Sequence, residues 1–261
     1  MSYIQTNKTL WNNKVTIHLE SDFYDMAGFM AGKSSLQGIE LDILGNIAGL
    51  KVLHLQCHFG QDTISLSRLG ADAVGIDFSE KAIETAQKIA QDTQSSAQFI
   101  CSDVYELPKV LDEKFDIVFT SYGTIGWLPD LDRWASVVSH FLKPGGRFVM
   151  AEFHPVLWMY DDDVKEVAHS YFNVLPIIGT ETGTYADKAV AQEFTYHCWN
   201  HSNSEVINSL INNGLTIKQF NEYNYAPYNI FSDGVEVEKG KYIVKHMGNK
   251  IPLVFAIEAV L

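Results

Sequence analysis

Long apolar runs, positive charge and cysteine are all scarce in this chain, and each scarcity removes a class of function. No stretch of about eighteen apolar residues occurs, so no segment is expected to cross a bilayer as a helix. Lysine and arginine number 19 against 32 aspartates and glutamates, a formal net charge of -13. A surface of that sign repels a phosphate backbone and an acidic lipid surface, so neither nucleic acid nor membrane is an expected partner. The three cysteines, Cys57, Cys101 and Cys198, are far apart and leave one unpaired in any scheme. No disulfide framework is expected, and reduced thiols suit a reducing compartment. The first eleven residues alternate polar and apolar types and lack the continuous apolar segment of a secretory signal, which makes the cytoplasm the expected location. No internal repeat or low-complexity tract is visible.

What the chain does have is apolar content and alternation. Its 261 residues, 46% of them hydrophobic, are enough for one large core and one elaborated domain. From residue 51 onward, short β-type runs at 51–55, 73–77, 98–101, 115–120 and 147–153 alternate with helical patterns, the mark of a parallel sheet covered on both faces. Ser79 reads as the N-cap of a helix with an apolar stripe at Ala82, Ile83, Ala86, Ile89 and Ala90. Leu131, Trp134, Val138, Phe141 and Leu142 give a later helix one buried face, and the Lys-Pro-Gly-Gly at 143–146 stops it. Residues 154–201 break the period and read as an insertion over the active site. Ser202 and Glu205 form a capping-box pattern that opens another helix, followed by a strand at 215–220. A terminal strand at 253–260 is expected to run antiparallel, giving the sheet a mixed edge. The expected organisation is a single α/β domain with a Rossmann-like, doubly wound, mostly parallel seven-stranded sheet. Residues 1–48 form an N-terminal helical cap, 49–153 the ligand-binding core, 154–201 the insertion and 202–261 the rest of the sheet.

Ligands of open α/β sheets lie beyond the carboxyl ends of the strands, near the switch in strand order. After the first strand comes Gln56-Cys57-His58-Phe59-Gly60-Gln61-Asp62, a tight turn in which Gly60 supplies backbone freedom. Asp77, ending the second strand before Phe78 and Ser79, is placed to accept hydrogen bonds from ribose hydroxyls. Asp103 and Val104, after the third, suit the exocyclic amine and the ring of adenine. Together these read as an adenosine site. A dinucleotide normally requires three glycines around its pyrophosphate, and the turn has one, which favours an adenosyl cofactor without phosphate over NAD.

The ordered set formed by 52–60, Gly75-Ile76-Asp77-Phe78-Ser79, Ser102-Asp103-Val104, Phe115-Asp116-Ile117-Val118 and Leu142-Lys143-Pro144-Gly145-Gly146 resembles the class I methyltransferases that use S-adenosyl-L-methionine. The resemblance covers about 51–153 well and the remainder more loosely. The chain also resembles a bacterial branch of the class in which the first turn reads Gln-Cys-His-Phe-Gly, with Trp-Leu-Pro-Asp at 127–130 and Glu-Phe-His-Pro at 152–155. The commoner turn of that class has an acidic residue where His54 stands and glycines where Gln56 and His58 stand. The resemblance implies that the turn at 56–60 lies along the methionine part of the cofactor, that Asp77 binds ribose, and that Asp103 and Val104 hold adenine. It also implies that Ser121 and Tyr122 border the methyl group and that an N-terminal segment caps the cofactor. Phe23 or Tyr24 would then lie over the cofactor, with Ser21 or His18 near its carboxylate; the alternative is a helix packed on the sheet edge.

Methyl transfer from a sulfonium needs alignment and exclusion of water more than covalent help. If the acceptor is a hydroxyl or a protonated amine, a base within reach assists, with His154 the first candidate, Tyr122 the second and Glu152 the third. The alternative for His154 is a backbone hydrogen bond before Pro155. No metal is expected: His197, Cys198 and His201 read as a loop or strand with alternating exposed histidines, and residues 161–163 as a solvated acidic loop. Cys57 reads as a small packed side chain. Aromatics of the insertion and tail, among them Trp158, Tyr160, Tyr185, Tyr196, Trp199 and Tyr228, are available to wall a pocket for a small-molecule acceptor, neutral or cationic. A non-catalytic adenosyl-binding protein and an NAD-linked oxidoreductase stay open as other readings. Oligomeric state is not legible.

Overall fold

The computed structural model describes residues 2–161 and 163–261; Met1 and Asp162, which belong to the N-terminal stretch and the acidic run read above, lie outside the described residues. The chain opens with α1 (Tyr3–Glu20), α2 (Met26–Met30) and α3 (Gly38–Leu44). Then β1 (Lys51–Leu55), α4 (Gln61–Arg68), β2 (Asp72–Asp77), α5 (Glu80–Asp92) and β3 (Gln98–Cys101) build the first half of the sheet. The second half is β4 (Phe115–Ser121), α6 (Leu131–Phe141) and β5 (Leu142–Phe153). The hairpin β6 (Ile177–Thr182) and β7 (Glu193–Cys198) stands in the insertion. The chain ends with α7 (Asn203–Asn212), β8 (Thr216–Tyr223), the hairpin β9 (Gly234–Glu238) and β10 (Lys241–Val244), and β11 (Val254–Val260).

Seven strands form one sheet in the order β3-β2-β1-β4-β5-β11-β8. The first five are mutually parallel, and β11 runs antiparallel to both β5 and β8. The last strand is therefore antiparallel as expected and gives the sheet its mixed edge, lying between β5 and β8. Helices cover both faces: Trp134, Phe141, Val206 and Leu210 from α6 and α7 pack with Phe148 and Ile257. On the opposite face Ile43 and Leu44 of α3 pack with Phe119, Val149 and Ala256. Strand order reverses between β1 and β4, so a crevice opens past their carboxyl ends.

The N-terminal cap is more regular than the sequence suggests, because α1 runs unbroken for 18 residues. Its buried positions are Asn7, Leu10, Lys14, Val15 and His18, a helical stripe in which three of five side chains are polar. A polar buried stripe carries no apolar periodicity, so the helix reads as irregular. Each of the three has a fixed partner. The Asn7 amide donates to the carbonyl of His197 at 2.8 Å and accepts that residue's N–H at 2.9 Å, Lys14 pairs with Glu181 at 2.5 Å, and His18 meets His58 at 3.0 Å. The hairpin β9–β10 within 202–261 is an addition to the expected arrangement, although Val235-Glu236-Val237-Glu238 has a strand's alternation.

Candidate functional site

A cavity of about 920 Å³ lies beyond the carboxyl ends of β1, β2, β3 and β4, closed on the far side by α1 and the β6–β7 hairpin. Its floor is the turn after β1. There Gln56, His58 and Gly60 all take left-handed backbone, with φ of 56°, 50° and 83°. Each non-glycine residue in that region costs on the order of 1–2 kcal/mol, so the two must be held in place. Hydrogen bonds do this: Cys57 N–H to the carbonyl of Ile76 at 2.8 Å, Gly60 N–H to that of Cys57 at 2.9 Å, and His58 N–H to Asp77 Oδ2 at 2.9 Å. The Gln56 amide adds a bond to the carbonyl of Thr124 at 2.9 Å. At Gly60 no side chain is tolerated, because a Cβ would stand 2.5 Å from the ring of Phe99.

Asp77 closes β2 with its carboxylate against this turn: Oδ1 accepts Ser79 N–H and Oδ2 accepts His58 N–H, both at 2.9 Å. Burial lifts its pKa to about 6 despite those bonds. Asp103 follows β3 and accepts Tyr105 N–H at 2.8 Å. Asp77, Phe78, Asp103, Val104 and Tyr105 all line the cavity. Ser79, expected beside them, does not: its hydroxyl caps α5 by accepting Ala82 N–H at 3.1 Å and donates to Asn12 at 2.6 Å.

His54 is buried where the commoner turn carries an acid, with Nδ1 at 2.9 Å from Thr63 Oγ1 and Nε2 at 3.3 Å from Ser121 Oγ. Burial lowers its pKa to about 4, so the ring is neutral at physiological pH. The Ser121 hydroxyl donates to Asp62 Oδ2 at 2.9 Å, and Ser35 donates to Asp62 Oδ1 at 2.6 Å. A carboxylate is thus present at this corner, supplied by the first turn of α4 and not by β1.

After β4 the chain is shaped by Glu152. Its two oxygens accept the N–H groups of Gly123, Thr124, Ile125 and Phe153 and the hydroxyl of Thr124. A carboxylate so fully engaged is a scaffold for the loop at 121–127, not a free base. Tyr122 lines the cavity and donates its hydroxyl to Glu40 Oε2 at 2.7 Å. Burial, then the charge of Glu40, hold the phenol well above its ordinary pKa. His154 lies outside the cavity lining, because β5 ends at Phe153 and His154 N–H bonds the carbonyl of Leu253 at 2.9 Å. Its ring accepts Val156 N–H at 3.1 Å and meets Glu222 at 2.7 Å on the α7 and β8 side. The ring of the first candidate base is thus placed against Val156 and Glu222 and not in the cavity lining.

Phe23 and Tyr24 line the cavity as expected. Tyr24 stacks on His18 with ring centres 5.1 Å apart and shares a hydrogen bond with the hydroxyl of Tyr185. Ser21 and His18 do not reach the cavity: Ser21 bonds the carbonyl of His18, and His18 backs His58. On the remaining wall, Trp11 and Trp127 meet edge to face at 5.2 Å, and the buried Lys14 ammonium lies 5.2 Å from the Trp11 ring centre while pairing with Glu181. Burial lowers its pKa. His201, expected to be exposed, is buried and bonds the carbonyl of Leu128 at 2.8 Å and Glu205 at 2.9 Å. Lys14, Glu40 and Glu181 escape a motif search because none stands after a strand of the main sheet. A charged residue inside an apolar stripe, as Glu40 is between Ile39 and Ile43, is the signal that finds such a group.

Residues 52–146 match the family model of the methyltransferase domain. A demethylmenaquinone methyltransferase of Lactococcus lactis is 33% identical over 142 residues, 52% of this chain and 54% of that protein, so the matched stretch spans about half of the relative. An uncharacterised protein of Haemophilus influenzae is 26% identical over 233 residues, 81% of this chain and 87% of its own. The crystal structure of an S-adenosylmethionine dependent methyltransferase from Mesorhizobium loti superposes with a TM-score of 0.58 at 17% identity, covering 89% of this chain and all of that one. The strand order and the crevice are thus those of a fold that methyltransferase structures share, and residues 52–146 match the methyltransferase domain.

Proposed function

We propose that this protein transfers a methyl group from S-adenosylmethionine to a small-molecule acceptor held in the same cavity. The observation that carries the reading is the juxtaposition of Asp77 and Asp103, from neighbouring strands, in one cavity floored by a left-handed turn. The lining fits a phosphate-free adenosyl group: lysines are sparse in it and no arginine occurs. Its volume, near the upper end for ligand pockets, leaves room for an acceptor beside the donor.

Asp77 would hold the ribose hydroxyls, Asp103 and Val104 the adenine, and residues 56–60 the methionine part. Asp62, Ser121 and Tyr122 would border the reactive end, with Phe23 and Tyr24 covering it. The bound sulfonium supplies an already activated methyl group, so the chain's own task is to orient the acceptor and exclude water. Trp11, Trp127, Trp158 and Tyr228 give the acceptor region flat apolar walls, suited to a compact neutral or cationic molecule.

Calorimetry with S-adenosylhomocysteine, S-adenosylmethionine and NAD tests the reading. Heat with both sulfur compounds and none with NAD is expected, and silence from both would overturn the proposal. Asp77→Asn is expected to weaken S-adenosylhomocysteine binding by about 10–100-fold, since hydrogen bonds to a charged acceptor contribute roughly 1.5–3 kcal/mol. Unchanged affinity in a folded variant would place the sugar elsewhere.

A further inference from the structure

A buried carboxyl group is costly unless something uses it. Glu40 has 0% of its surface exposed. Its Oε1 accepts Gln37 N–H at 2.6 Å, the ordinary contact of a capping box at the start of α3. Capping requires only that oxygen and is available at the surface, so it does not account for the burial. The second oxygen faces the cavity wall, where it accepts the Tyr122 hydroxyl at 2.7 Å. The Tyr122 ring is fixed between Tyr228, edge to face at 5.3 Å, and Phe153 at 5.7 Å. Tyr122 lines the cavity and Glu40 does not. One hydroxyl therefore connects the cavity to an acid sealed behind it.

Among the described residues no Lys, Arg or His pairs with Glu40. Arg147 of β5 spends its guanidinium on the carbonyls of Ile43 and Leu44 and on Glu258. Asp62 is the charged neighbour, and Tyr228 stands beyond Tyr122. Burial first, and Asp62 next, raise the Glu40 carboxyl to about 8, against the hydrogen bonds from Gln37 and Tyr122. The group changes its protonation near neutrality, where a general base is most effective.

We propose that Tyr122 and Glu40 form a proton relay that serves an acceptor carrying both a free electron pair and its own proton on the reacting atom, a hydroxyl or thiol. The relay rests on the methyl-transfer reading above. The acceptor's electron pair forms the bond to the methyl carbon and the carbon–sulfur pair leaves with sulfur. The acceptor's proton passes to Tyr122 Oη as the tyrosyl proton passes to Glu40 Oε2. Tyrosine ends as it began, the carboxylate ends neutral, and the sulfonium charge is cancelled. Tyr122 is the catalytic residue of the pair and Glu40 acts through it.

The test uses the donor alone. A sulfonium in the cavity favours the ionised form of Glu40, whereas the neutral thioether of S-adenosylhomocysteine does not. Calorimetry at pH 7.5 in two buffers of different ionisation enthalpy counts the protons released on binding each compound. We expect S-adenosylmethionine to release more protons than S-adenosylhomocysteine, by a measurable fraction of one, and the difference to vanish in Glu40→Gln. In Tyr122→Phe the difference should persist with its midpoint at higher pH, because Glu40 loses a donor. Once a metabolite screen returns an acceptor, both variants should lose at least tenfold in turnover together with its rise between pH 7 and 9, and Glu40→Asp should recover part of each. Equal proton counts in the unaltered protein, or a difference that survives Glu40→Gln, would overturn the relay while leaving methyl transfer standing. Absence of binding by either compound would overturn the methyl-transfer reading itself, and the relay with it.

Discussion

Along the strand ends, the cavity wall is made of backbone: the residues after β1, β2, β3 and β4 reach it as continuations of a hydrogen-bonded sheet. Across from them, α1, the turn that follows it and the β6–β7 hairpin reach it through side-chain bonds, Asn7 to the backbone of His197, Lys14 to Glu181 and Tyr24 to Tyr185. The first wall is fixed by geometry that few side chains can alter. The second is fixed by particular polar pairs, so its shape is free to follow substitutions there. A shared donor and a variable acceptor would call for this division, with the donor on the sheet and the acceptor under the cap.

The contrast is broken most severely at Gly60, where the backbone wall depends on one missing atom. Gly60→Ala would keep a left-handed φ of 83° and drive a methyl group to 2.5 Å from Phe99 and 2.9 Å from Ala86 Cβ. Left-handed strain and overpacking together are expected to lower stability by about 2–5 kcal/mol, read from urea unfolding. A loss under about 1 kcal/mol would mean that the turn yields readily and that the strand-end wall is softer than its hydrogen bonds imply.

This same division governs what can be read from the sequence. The sheet is legible because its strands are apolar on both faces and are punctuated by Ser79, Gly70 and the glycines at 145 and 146. Asp77 and Asp103 are legible because strand ends in such a sheet have fixed addresses. The left-handed turn is only half legible: Gly60 announces it, whereas Gln56 and His58 conceal the same backbone beneath side chains. On the cap wall, the buried face of α1 is largely polar, and its partners are remote in sequence, 190 residues away for Asn7 and His197, 167 for Lys14 and Glu181 and 40 for His18 and His58. No local pattern registers such pairing. His154 is misplaced for a related reason: the chain turns at Phe153, and one residue past the strand end the side chain already faces α7 and β8.

A smaller effect sharpens the seam between the walls. His18 and His58 meet there at 3.0 Å, and burial lowers their pKa values to about 2 and about 3. Both lie below the unfolded value near 6.5, so the stability that they contribute is complete above that pH and is lost as pH falls toward the folded values. Thermal and urea unfolding between pH 6 and 4.5 should show falling stability on acidification, with buried His54, lowered to about 4, acting in the same sense and Asp77, raised to about 6, against it. Each of these imidazoles adds up to about 1.4 kcal/mol per pH unit to the slope. His18→Phe removes one titrating ring and should flatten the slope by about one proton. Glu40 works in the opposite sense, because its raised pKa makes folding less favourable as pH rises from the unfolded value of about 4.5 through 8. A slope that His18→Phe leaves unchanged would mean that the ring is protonated in the folded state and that the seam is open to water.

The smallest effect on the cavity is expected from His154, although its position after β5 marks it as a catalytic candidate. Its Nδ1 accepts Val156 N–H, which leaves the proton on Nε2 for Glu222 at 2.7 Å. Burial lowers its pKa against the pull of that carboxylate. The ring therefore ties the end of β5 to β8 and offers nothing to the cavity. His154→Gln should lower stability by about 1–2 kcal/mol through the bonds that it loses, and change S-adenosylhomocysteine affinity by no more than about twofold. In the pH profile of turnover, the acid limb should survive in this variant and disappear in Glu40→Gln. A tenfold loss of affinity, or an acid limb that follows His154 instead, would put this ring back among the reacting groups and move the working wall of the cavity one strand outward.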